Sequence, residues 1–133
     1  MLMDEEFYNS VSRIIQEDPR YHPDAYVFVM EALGFAQKKF KQPKHVSGHE
    51  FLEGIKGLLI KQFGPLTLAV LDHWGIKKTD DFGNIVHNLE QFKIIARNND
   101  DQYDVFKNGY DFQEVFDKGY RKQLAKRIKT MRF

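Results

Sequence analysis

The chain has 133 residues, of which 42% are hydrophobic, 29% charged and 14% aromatic, with a formal net charge of +1 and no cysteine. This length suits one domain with a core that needs no cross-links, and the missing thiols exclude disulfides, cysteine nucleophiles and Cys-based zinc or iron–sulfur centres. No run reaches the ~18 uninterrupted apolar residues of a membrane span, and the acidic opening Met1-Leu2-Met3-Asp4-Glu5-Glu6 is unlike a signal peptide, so the expectation is a cytoplasmic protein without transmembrane insertion.

In residues 3–17, Phe7, Val11, Ile14 and Ile15 recur at helical spacing behind acids in the first turn, which suit the positive end of the helix dipole. Asp18-Pro19 ends that helix, Arg20-Tyr21-His22 connects, and Pro23-Asp24 opens a second one, since proline is tolerated in a first turn. Ala25, Phe28, Val29, Ala32, Leu33 and Phe40 form its expected buried stripe, widened by Tyr26 and Met30, with Lys38, Lys39, Lys41 and Lys44 around its C-terminal end. Ser47-Gly48-His49-Glu50 has capping-box spacing. The third helix that it starts turns Phe51, Leu52, Ile55, Leu58, Leu59 and Phe63 inward and stops at Gly64. Pro65 begins a fourth, Leu66 to Trp74, closed by Gly75 as a left-handed cap. Thr79 or Asp80 caps a fifth that runs through Phe82, Ile85, Val86 and Leu89 to about Phe92.

Beyond Ile94 the periodicity weakens. Ile94 to Arg97 and Gln102 to Phe106 flank the polar turn Asn98-Asn99-Asp100-Asp101, which reads as a loop or as a small β-ribbon near 94–106. Asn108-Gly109 is a further turn. Phe112, Val115 and Phe116 begin a last helical segment, which Gly119 interrupts or passes through before Tyr120, Leu124, Ile128 and Met131 resume the helical spacing.

The charge is divided unevenly. From Lys118 to Phe133 there are seven cations (Lys118, Arg121, Lys122, Lys126, Arg127, Lys129 and Arg132) and no acid, which leaves residues 1–117 with thirteen basic and nineteen acidic side chains. A basic amphipathic terminus of this kind serves as a nucleic-acid arm, a membrane-surface helix or a helix for an acidic protein face. Its bland alternatives are a helix folded back on the acidic body, or a solvated end.

Catalytic signatures are sparse. His45 and His49, with Glu50 and Glu53 nearby, form an imaginable metal site for a hydrolase, but His49-Glu50-Phe51-Leu52-Glu53 lacks the second histidine of the zincin pattern. Ser47 is spoken for as a cap, and no nucleophile elbow surrounds it. The glycines at 48, 54 and 57 are not followed by the Lys-Ser/Thr of a phosphate loop. Gly54 and Gly57 fall inside a helix at a cost of about 1 kcal/mol each relative to alanine, so a close helix contact is expected, with Gly34 and Gly83 as counterparts. The fourth and fifth helices with the following ribbon have a winged helix-turn-helix outline. Its recognition helix, however, would present Asp80, Asp81 and Glu90 and no cation before Lys93, which opposes DNA binding.

Asp18-Pro19-Arg20-Tyr21, Ala25-Tyr26-Val27-Phe28, His45-Val46-Ser47-Gly48-His49-Glu50, Phe63-Gly64-Pro65, Trp74-Gly75-Ile76, Thr79-Asp80-Asp81-Phe82-Gly83 and Tyr110-Asp111-Phe112 with Phe116 form one set of motifs. Over roughly residues 10–117 that set resembles a small uncharacterised bacterial protein family, a domain of unknown function. The resemblance implies a bacterial origin and brings no activity, cofactor or site residue, and the basic extension lies outside it.

The expectation is therefore an all-α domain, 1–117, built as a compact bundle of five or six helices, followed by a helical basic extension, 118–133. Its expected function is that of a non-enzymatic adaptor or regulator whose seven C-terminal cations contact an acidic protein or RNA. The alternative is a metal-dependent hydrolase using His45, His49 and the neighbouring carboxylates.

Overall fold

A computed structural model describes residues 5–41, 45–96 and 103–131 of the chain. Six α-helices account for most of them: α1 (Glu5–Glu17), α2 (Pro23–Lys39), α3 (Gly48–Phe63), α4 (Thr67–Trp74), α5 (Thr79–Gln91) and α6 (Tyr120–Thr130). The expected start of α1 at residue 3, and Lys44 beyond the end of α2, lie outside the described residues.

Local chemistry sets the boundaries. His22 caps α2 by accepting the Asp24 amide on Nδ1 at 3.0 Å, with Pro23 in the first turn. Ser47 and Glu50 form the expected capping box, the Ser47 hydroxyl accepting the Glu50 amide and the Glu50 carboxylate the Ser47 amide. Gly64 ends α3 at a φ of 48°, and Gly64–Leu66 makes a 3-10 turn before α4. Gly75 closes α4 in the left-handed conformation, φ 82°, where a side chain would also strike the Arg20 carbonyl. At α5 the cap differs from the expectation: the Asp81 carboxylate accepts the amides of Lys77 and Lys78. Thr79 is fully buried, and its hydroxyl donates instead to the Phe106 carbonyl at 2.6 Å and accepts the Gly109 amide at 2.8 Å.

Helix α2 is the central element, packed most extensively on α3 and also touching α1, α4 and α5. Tyr26, Val29, Ala32 and Ala36 of α2 meet Ile55, Leu58 and Leu59 of α3 and Ile85 and Leu89 of α5 in one core. The glycine contact exists with different partners. A Cβ on Gly54 would stand 2.7 Å from that of Ala36, whereas nothing lies within 4 Å of one on Gly34, and Gly83 faces the Phe106 ring.

The motif residues of the chain's first half are tied to α5. Asp18 holds the Arg20 guanidinium through both carboxylate oxygens at 2.8 Å and accepts from Asn88 at 2.9 Å. Tyr21 donates to Asp81 at 2.5 Å and accepts from Asn84, and Asn88 also donates to the Tyr26 hydroxyl. This polar lattice locks the α1–α2 connector onto α5.

The β-ribbon is not borne out. Among the described residues there is no strand: Lys93, at a φ of 58°, closes α5, Ile94 and Ile95 follow in a bend, and Tyr103–Phe106 is a 3-10 turn. Phe106 is buried as a plug, edge-on to Phe51, and this burial takes the place of strand pairing. Arg97, Asn98 to Asp101 and Gln102 lie outside the described residues. Without a ribbon the winged outline loses its wing. Gly48–Trp74 is long and apolar enough to count, by length and composition, as one candidate membrane-crossing run, with a mean hydropathy of 1.2. In the fold it is bent at Gly64 and supplies Phe51, Leu52, Ile55, Leu58, Leu59 and Leu71 to the core.

Candidate functional site

The C-terminal segment is rooted firmly and then leaves the body. Tyr110, Phe112 and Phe116 form a ring cluster with centroids 5.7–6.3 Å apart, which Phe82 joins from α5. Burial holds the Tyr110 phenol protonated far above its ordinary range, and its hydroxyl donates to the Leu52 carbonyl at 2.9 Å. Asp111 caps the segment by accepting the Glu114 amide. The chain then takes a wide π-helical course over Glu114–Gly119 and runs without a break into α6. Gly119 fits because a side chain there would press on the Glu114 carbonyl. It modifies the helix and does not interrupt it.

No residue of α6 is buried. At 3.6 residues per turn Tyr120, Leu124, Ile128 and Met131 fall within an arc of about 80°; Ile128 is 57% and Met131 64% exposed. Arg121 and Arg127 flank that stripe, while Lys122, Lys126 and Lys129 occupy the opposite side. Lys118 and Arg121 pair with Glu114 and Asp117 of their own helix at 3.1 and 2.7 Å. The pairing with Glu114 raises the Lys118 pKa. Lys122, Lys126, Arg127 and Lys129 form no ion pair with a described residue; Arg132 lies outside the described residues. Among the described residues, then, no acid pairs with these four cations, and α6 touches the body through half-buried Tyr120 and Leu124 while Ile128 and Met131 stay exposed.

Sequence reasoning missed a second feature. Between α2, the end of α3 and α4 lies an apolar groove of about 510 Å³. Its floor is aromatic: Phe28, Phe63 and Trp74 stand with ring centroids 5.3–6.4 Å apart. Val27, Leu66, Ala69 and Val70 line the walls, and Leu66 is 63% exposed. The edge is polar, with Asp24, Glu31, Gln62 and His73; Gln62 donates to Glu31 across the helix pair at 3.1 Å. Phe28 and Phe63 each read as ordinary core positions in sequence, and no local signal marked the place.

The imagined metal site does not assemble. His45 and His49 are both exposed, and among the described residues no three of the His, Asp and Glu side chains are placed to hold a metal ion. His22 and His73 approach each other, centroids 4.9 Å apart, but the Nδ1 of His22 is occupied as a helix cap.

No family model matches the chain, and comparisons with curated proteins and with solved structures find no similar one. The resemblance read in the sequence thus rests on its motifs, and in the fold Asp18, Arg20, Tyr21, Gly75, Thr79, Asp81 and Gly83 all serve local structure.

Proposed function

We propose that this protein is a non-enzymatic docking module, an adaptor or regulator whose helix α6 is the recognition element for an acidic protein surface. The carrying observation is that α6 has no fully buried residue and leaves Ile128 and Met131 exposed beside Arg127, which pairs with no described acid. Cations alone suit RNA equally, because phosphate neutralisation needs only positive charge. The exposed Ile128 and Met131 have no such use on a phosphate backbone. They match the helix-in-groove mode, in which residues spaced three and four apart anchor an amphipathic helix in an apolar cleft.

The test is photo-crosslinking in cells from p-benzoylphenylalanine placed at Ile128. A discrete protein adduct, lost when Lys122, Lys126 and Lys129 are changed to Glu, is the expected result. Adducts removed by ribonuclease would overturn the reading in favour of an RNA arm, and the absence of any adduct would overturn it as well.

A further inference from the structure

We infer that the surface receiving α6 is the α2–α4 groove of a second copy of this chain, so that two copies exchange their C-terminal helices reciprocally. The inference rests on the docking reading above and names its partner.

Both halves of a helix-in-groove contact are present in one sequence. The helix offers exposed Ile128 and Met131, with half-buried Leu124 on the same face, flanked by Arg127 and by Arg121, whose pair with Asp117 is largely exposed; the groove offers an aromatic floor edged by Asp24 and Glu31. The side chain of Asp24 is 67% exposed. Charge complementarity thus runs along the edges of the contact and apolar matching along its centre, as in ordinary interfaces. The whole-chain balance fits too. An excess of six acids in the body and seven cations in the tail leave a net charge of +1, so two copies attract tail to body without repelling as wholes.

Geometry excludes the simpler occupants. Helix α6 does not occupy the groove of its own chain, because it continues out of the π-helical segment and is exposed from Arg121 to Met131 except at half-buried Leu124. Pairing of α6 with α6 would set like charges side by side, with no acid on either helix. The root of α6 nevertheless lies next to the groove: the Tyr120 hydroxyl sits 3.4 Å from where a Cβ on Gly64 would be, two residues before Leu66. A helix leaving from beside one groove and entering the twin groove makes the same contact twice about a twofold axis, the commonest form of homo-oligomer.

The experiment is sedimentation equilibrium of the full chain, with variants chosen at exposed positions so that folding is preserved and checked by circular dichroism. The wild type is expected to be a dimer that weakens with salt. Leu66→Asp in the groove and Ile128→Asp with Met131→Asp in the helix should each give monomers. Mixing these two variants should restore a heterodimer, since one brings an intact helix and the other an intact groove. Asp24→Lys with Glu31→Lys should likewise dissociate the protein, and should pair with Arg121→Glu plus Arg127→Glu. A wild type that stays monomeric up to roughly millimolar concentration, or a dimer indifferent to Leu66→Asp, would overturn the inference. If the wild type is monomeric while Ile128 still crosslinks to a different protein, docking stands and the second copy falls. If there is neither dimer nor adduct, both fall.

Discussion

Gly54 and Ala36 meet so closely across the α2–α3 contact that a methyl group on Gly54 would stand 2.7 Å from the Cβ of Ala36 and 3.2 Å from its Cα. No rotamer change relieves such a contact, because neither side chain has one; the helices themselves must separate. Gly54→Ala should therefore destabilise the protein by about 1–2 kcal/mol, the overpacking penalty less the helix propensity that alanine gains. Gly34, in the same helix as Ala36, has open space where a Cβ would go. Gly34→Ala should instead stabilise by about 0.5–1 kcal/mol. Urea unfolding of the two variants should shift the midpoint in opposite directions, and shifts of the same sign would refute this account of the helix contact.

Thr79 carries the connection between α5 and the 103–110 segment. Its buried hydroxyl satisfies one carbonyl and one amide, those of Phe106 and Gly109. Thr79→Val preserves shape and removes both bonds, leaving the Phe106 carbonyl unpaired in the core. The expected loss is about 2 kcal/mol. Hydrogen exchange should localise it: the Gly109 amide should lose protection while amides inside α3 fall only by the global change.

The five principal helices were legible because each announces its own ends. Ser47 with Glu50, Pro23, Gly64 and Gly75 act within a turn of themselves, and the apolar stripes between them have one period. What the sequence did not disclose depends on which distant elements meet. Thr79 or Asp80 reads as a cap, yet Asp81 takes that duty, the Thr79 hydroxyl being engaged by Phe106 and Gly109 and the Asp80 carboxylate by the Asn108 amide. Phe106 reads as the edge of a strand, yet its ring fills the space against Gly83. The groove joins Phe28, Phe63 and Trp74 from three helices, and no local pattern says that their shared edge stays open. The basic tail was legible as a charge run; that Ile128 and Met131 stay exposed on it was not.

Asp18 should make stability fall in acid. The Arg20 guanidinium, then Asn88 and the Arg20 amide, hold its carboxyl far below the usual carboxylate range, against a smaller opposing effect of burial. A carboxyl depressed in the folded state contributes stability that is complete above its unfolded pKa, about 3.9, and is lost as pH falls towards the folded value. Asp18→Asn should therefore cost about 1 kcal/mol near neutral pH, a modest figure because Arg20 is well exposed. The gap between wild type and variant should narrow steadily below about pH 4. Urea midpoints measured at neutral pH and in acid would show it; a gap that is constant with pH would mean that the carboxylate charge is immaterial.

The position of α6 predicts which truncations the fold survives. Among the described residues, removing 118–133 deletes no fully buried side chain, only half-buried Tyr120 and Leu124. It costs the exposed pairs Lys118–Glu114 and Arg121–Asp117, together with the Tyr120 contact at Gly64. Exposed pairs contribute little, so the 1–117 chain should unfold within about 1 kcal/mol of the full protein. Ending the chain at Gly109 instead strips Tyr110, Phe112 and Phe116 from the core, and that chain should not fold cooperatively. The contrast bears on more than stability. A folded, monomeric 1–117 beside a dimeric full chain would place the whole association in a helix that the fold does not need. An unfolded 1–117 would mean that α6 supports the body, and that its exposed stripe cannot be read as free for a partner.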